Sequence, residues 1–273
     1  MEQNLEEVAQ NTRAKVLKVA KLAHKGHIGS GLSICEIVVA MLASANGVGS
    51  TKNDRTRIVL SKGHAALAYY AALTEFGVIS DDQLNSYCVN GTKFGTHPDS
   101  VQPGTDFMTG SLGQGIGFGV GSAMASKLQK RQSQTFVVLS DSELNEGSTW
   151  ESLFVAGHNI LKSLVVVLDL NGQQALGKTK DVLRLDGLPN QLGMIGWNCL
   201  SMDGHDVENL ALACSRKLDD GSKPLLVIAK TIAGKGVSFM EGKVEWHYMP
   251  QTDEQHREAL EEVGKLLKSA WAK

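Results

Sequence analysis

Apolar residues recur at helical spacing from the first residues onward: Leu5, Val8, Thr12, Val16, Val19 and Leu22-Ala23 share one face. The pattern predicts a helix that breaks at Lys25-Gly26-His27-Ile28-Gly29-Ser30-Gly31, with a second helix beyond it. Arg57 to Ser61 predicts a short strand ending in a Gly-His turn, and Ala65 to Phe76 a helix stopped by Gly77. Residues Asn90 to Thr109 are rich in Gly and Pro and predict a long loop, of a length that is usually functional or disordered. The run Gly110 to Gly119 then leads into a helix through Leu128. Thr135 to Leu139 and Ser163 to Leu168 are continuous apolar runs, and Trp150, Leu153-Phe154, Gly157 and Ile160-Leu161 recur at helical spacing between them. A strand, a helix and a strand, with both strands apolar throughout, predict a βαβ unit in a buried parallel sheet. Pro224 to Lys230 extends that sheet. A closing helix, capped by Thr252-Asp253-Glu254-Gln255, carries Leu260, Val263 and Leu267 on one face.

With no internal repeat and no linker that divides the chain, this order predicts one domain over residues 1–273. Its class is α/β: a doubly wound, mostly parallel sheet flanked by helices. Composition changes that picture little. The 273 residues are 42% hydrophobic and 21% charged, an ordinary globular balance, and the net charge is -2. Clustered excess cation, the footprint of nucleic-acid binding, is missing. Four well-separated cysteines, Cys35, Cys88, Cys199 and Cys214, argue for reduced thiols in a cytoplasmic protein. The most apolar stretch, Ile34 to Ala45, is broken by Cys35-Glu36 and too short to span a bilayer, so no membrane association is expected.

Open parallel sheets bind ligands at the carboxyl ends of their strands. Both strands of the central unit end there in hard oxygen donors. The first runs into Ser140-Asp141-Ser142-Glu143, the second into Asp169-Leu170-Asn171-Gly172-Gln173. Asp141 and Asn171 lie 171 − 141 = 30 residues apart, a strand-to-strand crossover with one helix. A carboxylate and an amide carbonyl suit Mg²⁺ or Ca²⁺. Taken alone, the same pair reads equally as two solvated turns, because Asp and Asn are common there. The alternating glycines from 113 to 121 do not form the dinucleotide-binding pattern, and close helix packing explains them as well as a phosphate does.

At these residues the chain resembles the transketolase family of thiamine-diphosphate enzymes. Ser140-Asp141-Ser142 followed by Asn171 stands where those enzymes carry Gly-Asp-Gly and a later Asn, and Glu143 to Glu151 resembles the transketolase version of that motif. The likeness covers essentially the whole chain. It includes Lys25 to Gly29, Ser61 to Ala65, Thr96-His97-Pro98, Thr109 to Gly115, Asp203-Gly204-His205-Asp206, Lys230 to Gly236 and Trp246-His247. It implies the thiamine diphosphate-binding fold. It implies also that Asp141, Asn171 and the backbone carbonyl of Gln173 hold Mg²⁺, with Ca²⁺ a substitute. Gly110 and Leu112 would line the cofactor site, the Ser142 N–H would face the diphosphate, and Glu146 would sit at a subunit interface. His27, His64, His97 and His247 match active-site positions, with His64 and His247 also at the cofactor. Imidazoles suit that task because they donate, accept and shuttle protons near neutral pH. His24, His158 and His256 carry no motif and read as packed or surface residues. His205 matches a family segment without an evident role.

The implied activity is transfer of a two-carbon ketol unit from a ketose to an aldose, on sugars or sugar phosphates in carbohydrate metabolism. The chain stops where transketolases continue into a pyrimidine-binding domain, so the resemblance implies a separate C-terminal subunit, in an α₂β₂ heterotetramer. Two departures stand out. Serines replace both glycines around Asp141, and a positive φ at Ser142 would cost about 1 kcal/mol. Tyr248 follows Trp246-His247 where relatives have Gly. The serines keep open a second reading, a non-catalytic or regulatory subunit with weakened cofactor binding. Another thiamine-diphosphate-dependent synthase is a third.

Overall fold

The computed structural model describes residues 4–270, with side chains described up to residue 266. Helices α1 (Leu5–Ala23), α2 (Ile28–Leu32) and α3 (Cys35–Ser44) precede strand β1 (Arg57–Leu60). Then come α4 (Ala66–Glu75), α5 (Asp81–Asn85), α6 (Gly115–Leu128), β2 (Thr135–Ser140), α7 (Gly147–His158) and β3 (Leu164–Leu170). A two-residue hairpin, β4 (Gln173–Gln174) and β5 (Gly177–Lys178), leads to α8 (Thr179–Val182) and α9 (Leu188–Met194). The chain ends in β6 (Asn198–Asp203), α10 (Val207–Cys214), β7 (Leu225–Lys230) and α11 (Asp253–Ala270).

Five strands form a parallel sheet in the order β1-β2-β3-β7-β6. Side chains alternate strictly across it. Phe136, Val138, Val165 and Val167 pack into one core with α1, α3, α4 and α10. Val137, Leu139, Val166 and Leu168 pack into another with α6, α7 and α9. That is why both central strands read as unbroken apolar runs: each face is covered by helices. The chain steps from β2 to β3 in one direction and from β6 to β7 in the other. Right-handed crossovers then require their helices on opposite faces, α7 on one and α10 on the other. On the α6 face a Cβ at Gly119 would come within 2.3 Å of Val137, so glycine lets this helix lie directly on the sheet. Close packing accounts for that member of the glycine run.

The α/β class and the central βαβ unit expected from the sequence are present, with local differences. The glycine-rich break after α1 contains a helical turn of its own, α2, whose residues are all buried. Helix α7 stops at His158, because Ile160 turns to φ 48° and faces solvent, so the predicted Ile160-Leu161 turn lies outside it. Strand β6 was not legible in the sequence: at the sheet edge it alternates partly buried and exposed residues and never forms an apolar run. Thr252 and Gln255 cap α11 reciprocally, at 3.0 and 3.2 Å. Val263 is buried beneath α1 and Leu260 packs beside it, while Leu267 lies outside the described side chains. No described helix is long and apolar enough to cross a membrane.

Candidate functional site

Strand β2 ends at Ser140, and the chain turns at once into a tight helical turn over Asp141–Asn145. Glu143 fastens that turn from below. Its carboxylate accepts from the Ser140 N–H at 2.9 Å, the Ser140 hydroxyl at 3.2 Å, the Gly113 N–H at 3.0 Å and the Ser61 hydroxyl. One buried side chain therefore joins the ends of β1 and β2 to the loop before α6. Ser140 has a use of its own as a cap, and the backbone at Ser142 keeps a negative φ. The strain expected of serine at 142 is not present, because the turn is helical there.

Asp141 lies fully buried at this turn. Its Oδ2 accepts from the Thr179 hydroxyl, whereas its Oδ1 is buried with no partner. Burial raises the carboxyl pKa to about 7. An unpaired buried carboxylate oxygen is costly, and a hard cation is what would satisfy it. Across the sheet, Asn171 follows β3. Its amide donates to Asp169 Oδ2 at 3.1 Å, and its Oδ1 accepts from the Gln173 N–H at 2.9 Å. That pairing fixes which end of the amide is the oxygen, and the Gln173 N–H occupies one of its two lone pairs. Among the described residues no three His, Cys, Asp or Glu side chains gather as a metal cluster, so any ion here takes amide and carbonyl oxygens beside the one carboxylate.

Asp169, one residue before the strand end, organises this region. Ser33 donates to its Oδ2 at 2.8 Å, the Lys62 ammonium pairs with the same oxygen, and the Thr231 hydroxyl donates to Oδ1. Lys62 and Asp169 are both completely buried. Neither residue has a role that its sequence neighbours reveal. A lysine within Ser61-Lys62-Gly63-His64 carries no local sign that it turns inward.

The histidines converge. The rings of His27, His64 and His247 form a triangle with centroids 5.5, 5.2 and 5.4 Å apart. His27 sits at φ 60°, which turns its side chain inward at the start of α2, and its Nδ1 is buried without a partner. His247 is tied back by its carbonyl, which accepts the His27 N–H at 3.2 Å, and its Nδ1 lies 3.4 Å from the Ser30 hydroxyl. Burial lowers the pKa of all three. For His64 the Lys62 and His247 charges add to it, and His247 falls to about 4. Three neutral imidazoles at neutral pH can each donate and accept. His97 lies outside the triangle, its ring packed over Gly63 and Gly110 and its Nδ1 3.1 Å from the Thr96 hydroxyl. Burial lowers its pKa also.

The remaining predicted residues rim the site. Gly110 is exposed beside His97, Leu112 is half-buried, and Glu146 is exposed at the start of α7. Gln173 belongs to the hairpin, and its side-chain amide donates to Gly242 O. With Asn171, Ala233 and His247 it lines a narrow pocket. Tyr248, at the position of the second departure, is 60% exposed and stands edge-on to His247 at 4.7 Å, outside the lining of that pocket.

Residues 5–268 match the family described as the transketolase, thiamine diphosphate binding domain. The chain is 34% identical over 97% of its length to an apulose-4-phosphate transketolase subunit from Phocaeicola vulgatus, covering 95% of that protein. It is 35% identical over 88% of its length to the 6-deoxy-6-sulfo-D-fructose transketolase subunit SqwG of a Clostridium species, covering 89% of it. Among solved structures, the transketolase of Campylobacter jejuni superimposes with a TM-score of 0.87 at 27% identity. Of that longer enzyme the chain spans 43%.

Proposed function

Because the chain belongs to the family of transketolase thiamine diphosphate-binding domains, we propose that it is the N-terminal subunit of a split, thiamine-diphosphate-dependent transketolase. One observation carries the reading. The buried, unpaired Asp141 Oδ1 and the Asn171 amide stand at the ends of two directly paired strands, in a chain whose His27, His64 and His247 rings converge. The chain covers nearly the whole of two relatives named as subunits, and less than half of a single-chain enzyme. A C-terminal subunit therefore completes it. An α₂β₂ assembly is our reading of how, with the exposed Glu146 near the contact.

Asp141, Asn171 and the Gln173 carbonyl would hold Mg²⁺, or Ca²⁺ in its place, the Ser142 N–H would face the diphosphate, and Gly110 and Leu112 would line the cofactor site. Bound there, thiamine diphosphate supplies the electron sink that lets the C2–C3 bond of a ketose break. This chain's own part is positioning and proton handling. His27, His64 and His247 stay neutral at pH 7, so each can hold a substrate hydroxyl as donor or acceptor, and His97 extends the row. Lys62 and Asp169 stand behind them as a buried ion pair that fixes Asn171 and polarises the site. The two named relatives act on a phosphorylated and a sulfonated sugar, which supports an anionic modified sugar here, gripped at its far end by the partner. Four free cysteines, two of them buried, support a reducing, cytoplasmic setting.

Calorimetric titration with thiamine diphosphate and Mg²⁺, with and without the C-terminal subunit, tests the proposal. Binding in the complemented protein and ketol transfer from a modified ketose are expected. No binding even with the partner present would overturn it in favour of a regulatory subunit.

A further inference from the structure

The segment Asp203-Gly204-His205-Asp206 lies at the end of β6, away from Asp141, and each of its residues has a distinct contact. Asp203 Oδ1 accepts the His205 N–H at 2.8 Å and closes the turn. The Gly204 N–H donates to Lys230 O at 2.8 Å, and a Cβ there would reach within 2.3 Å of Thr231, so glycine lets the ends of β6 and β7 meet. Asp206 caps α10 through the Asn209 N–H at 3.0 Å. His205 bridges. Its Nδ1 lies 3.1 Å from Glu36 Oε2, and its Nε2 accepts the Ile232 N–H at 2.9 Å. A backbone N–H can only donate, so Nε2 is the bare nitrogen and Nδ1 carries the proton toward Glu36.

Behind His205 the cluster continues inward. Glu36 Oε1 pairs with Arg13 at 2.6 Å, and Arg13 Nε donates to Lys235 O at 2.9 Å. Side chains from α1, α3 and the β6 turn thus grip the chain after β7 at Ile232 and at Lys235. That chain, residues 231–248, is a strap leading to the site. Thr231 donates to Asp169, the Gly234 N–H donates to Gly29 O at 3.0 Å, Ala233 lines the pocket with Asn171, and His247 completes the triangle.

We infer that His205 is a positioning residue: its imidazole relays the buried Arg13–Glu36 ion pair to the Ile232 N–H and so holds the strap that carries Thr231 and His247 in register with the site. The catalytic consequence rests on the proposed role of His247, whereas the anchoring itself needs neither cofactor nor partner. It is therefore tested first on the full chain alone. Nitrogen NMR of the wild-type protein is expected to show His205 protonated at Nδ1 and bare at Nε2. By hydrogen exchange, His205→Ala and His205→Asn are expected to expose amides of residues 231–248 about fivefold or more, the loss of one hydrogen bond, with α3 and β2 unchanged. His205→Gln, whose amide oxygen reaches as far as Nε2, is expected to restore protection. The opposite tautomer, or strap exchange equal to wild type in the Asn variant, overturns the inference. If the Ala variant fails to fold, the Asn and Gln pair still decides. In the complemented enzyme His205→Asn is expected to lower kcat about tenfold with the KM for thiamine diphosphate within about threefold. Unchanged kcat with a released strap would also overturn the assignment, whereas no turnover in the complemented wild type would count against the proposed function instead.

Discussion

Two clusters of buried charge lie at the carboxyl ends of this sheet's strands, and they differ in how completely their polar atoms are matched. Around Arg13, Glu36 and His205 every polar atom is matched: three guanidinium nitrogens, both carboxylate oxygens and both ring nitrogens have partners. Around Asp141 and His27 the matching is incomplete, with Asp141 Oδ1 and His27 Nδ1 buried and unpaired. An unpaired buried polar group costs about 1–3 kcal/mol, a cost that a bound ligand could offset at Asp141 and His27. The contrast also appears in the acids. The Arg13 and His205 partners outweigh burial and hold the Glu36 carboxyl down to about 2, whereas at Asp141 burial wins and the pKa rises to about 7. One cluster is closed on itself, whereas the other leaves polar atoms open, as the proposed cofactor site requires.

Mutation should separate them, and the largest effect belongs to the satisfied cluster. Glu36→Ala strands a buried guanidinium and is expected to destabilise the chain by about 3–5 kcal/mol in denaturant unfolding. Asp141→Ala, in the same assay without metal, is expected to cost no more than about 1 kcal/mol, because it deletes a carboxylate already short of a partner. A comparable loss at both sites would erase the distinction. The order reverses for binding: Asp141→Ala is expected to weaken the Mg²⁺–thiamine diphosphate complex at least a hundredfold, about 2.7 kcal/mol, by calorimetry in the complemented protein. Unimpaired binding there would remove Asp141 as a metal ligand.

Acid sharpens the same comparison. Glu36 has its folded pKa below the ordinary value of 4.5, so its stabilisation is complete above pH 4.5 and fades as pH falls toward 2. His247 has its folded pKa depressed from 6.5 to about 4, so the unfolded chain takes up the proton first and stability is lost as pH falls from 6.5 to 4. These two groups make stability decline in two windows, with Asp141, raised to about 7, opposing the upper one. Glu36→Gln is expected to flatten the lower one and His247→Gln the upper one, by less, because His247 is only half-buried. The smallest effect is expected of Ser142→Gly. With no positive φ to relieve, it should cost about 0.5–1 kcal/mol in unfolding, and a gain in stability would mean the serine is strained after all.

Much of the fold was legible because its signals are local. Val137-Val138 and Val166-Val167 announce strands buried on both faces, Gly77 stops α4 at φ 67°, and Thr252 with Gln255 caps α11. Asp141 and Asn171 could be placed at neighbouring strand ends because one crossover separates them, and β2 and β3 do pair directly. Strand β6, partly exposed at the edge, had no such periodicity to show. The histidine motifs identified which residues to watch, but not that His27, His64 and His247 meet while His97 stands aside.

What the sequence determined by itself was therefore the order of elements, the location of the strand ends and the residue types waiting there, all set by periodicity and turn chemistry over a few residues. Only the tertiary structure decided the partners. Lys62 reaches Asp169 across 107 residues, His205 reaches Glu36 across 169 and Arg13 reaches Lys235 across 222. No local pattern encodes such pairs. They form because the sheet brings those segments together in a dry interior, where a charge must find a partner or, as at Asp141 Oδ1, stay unpaired at a cost.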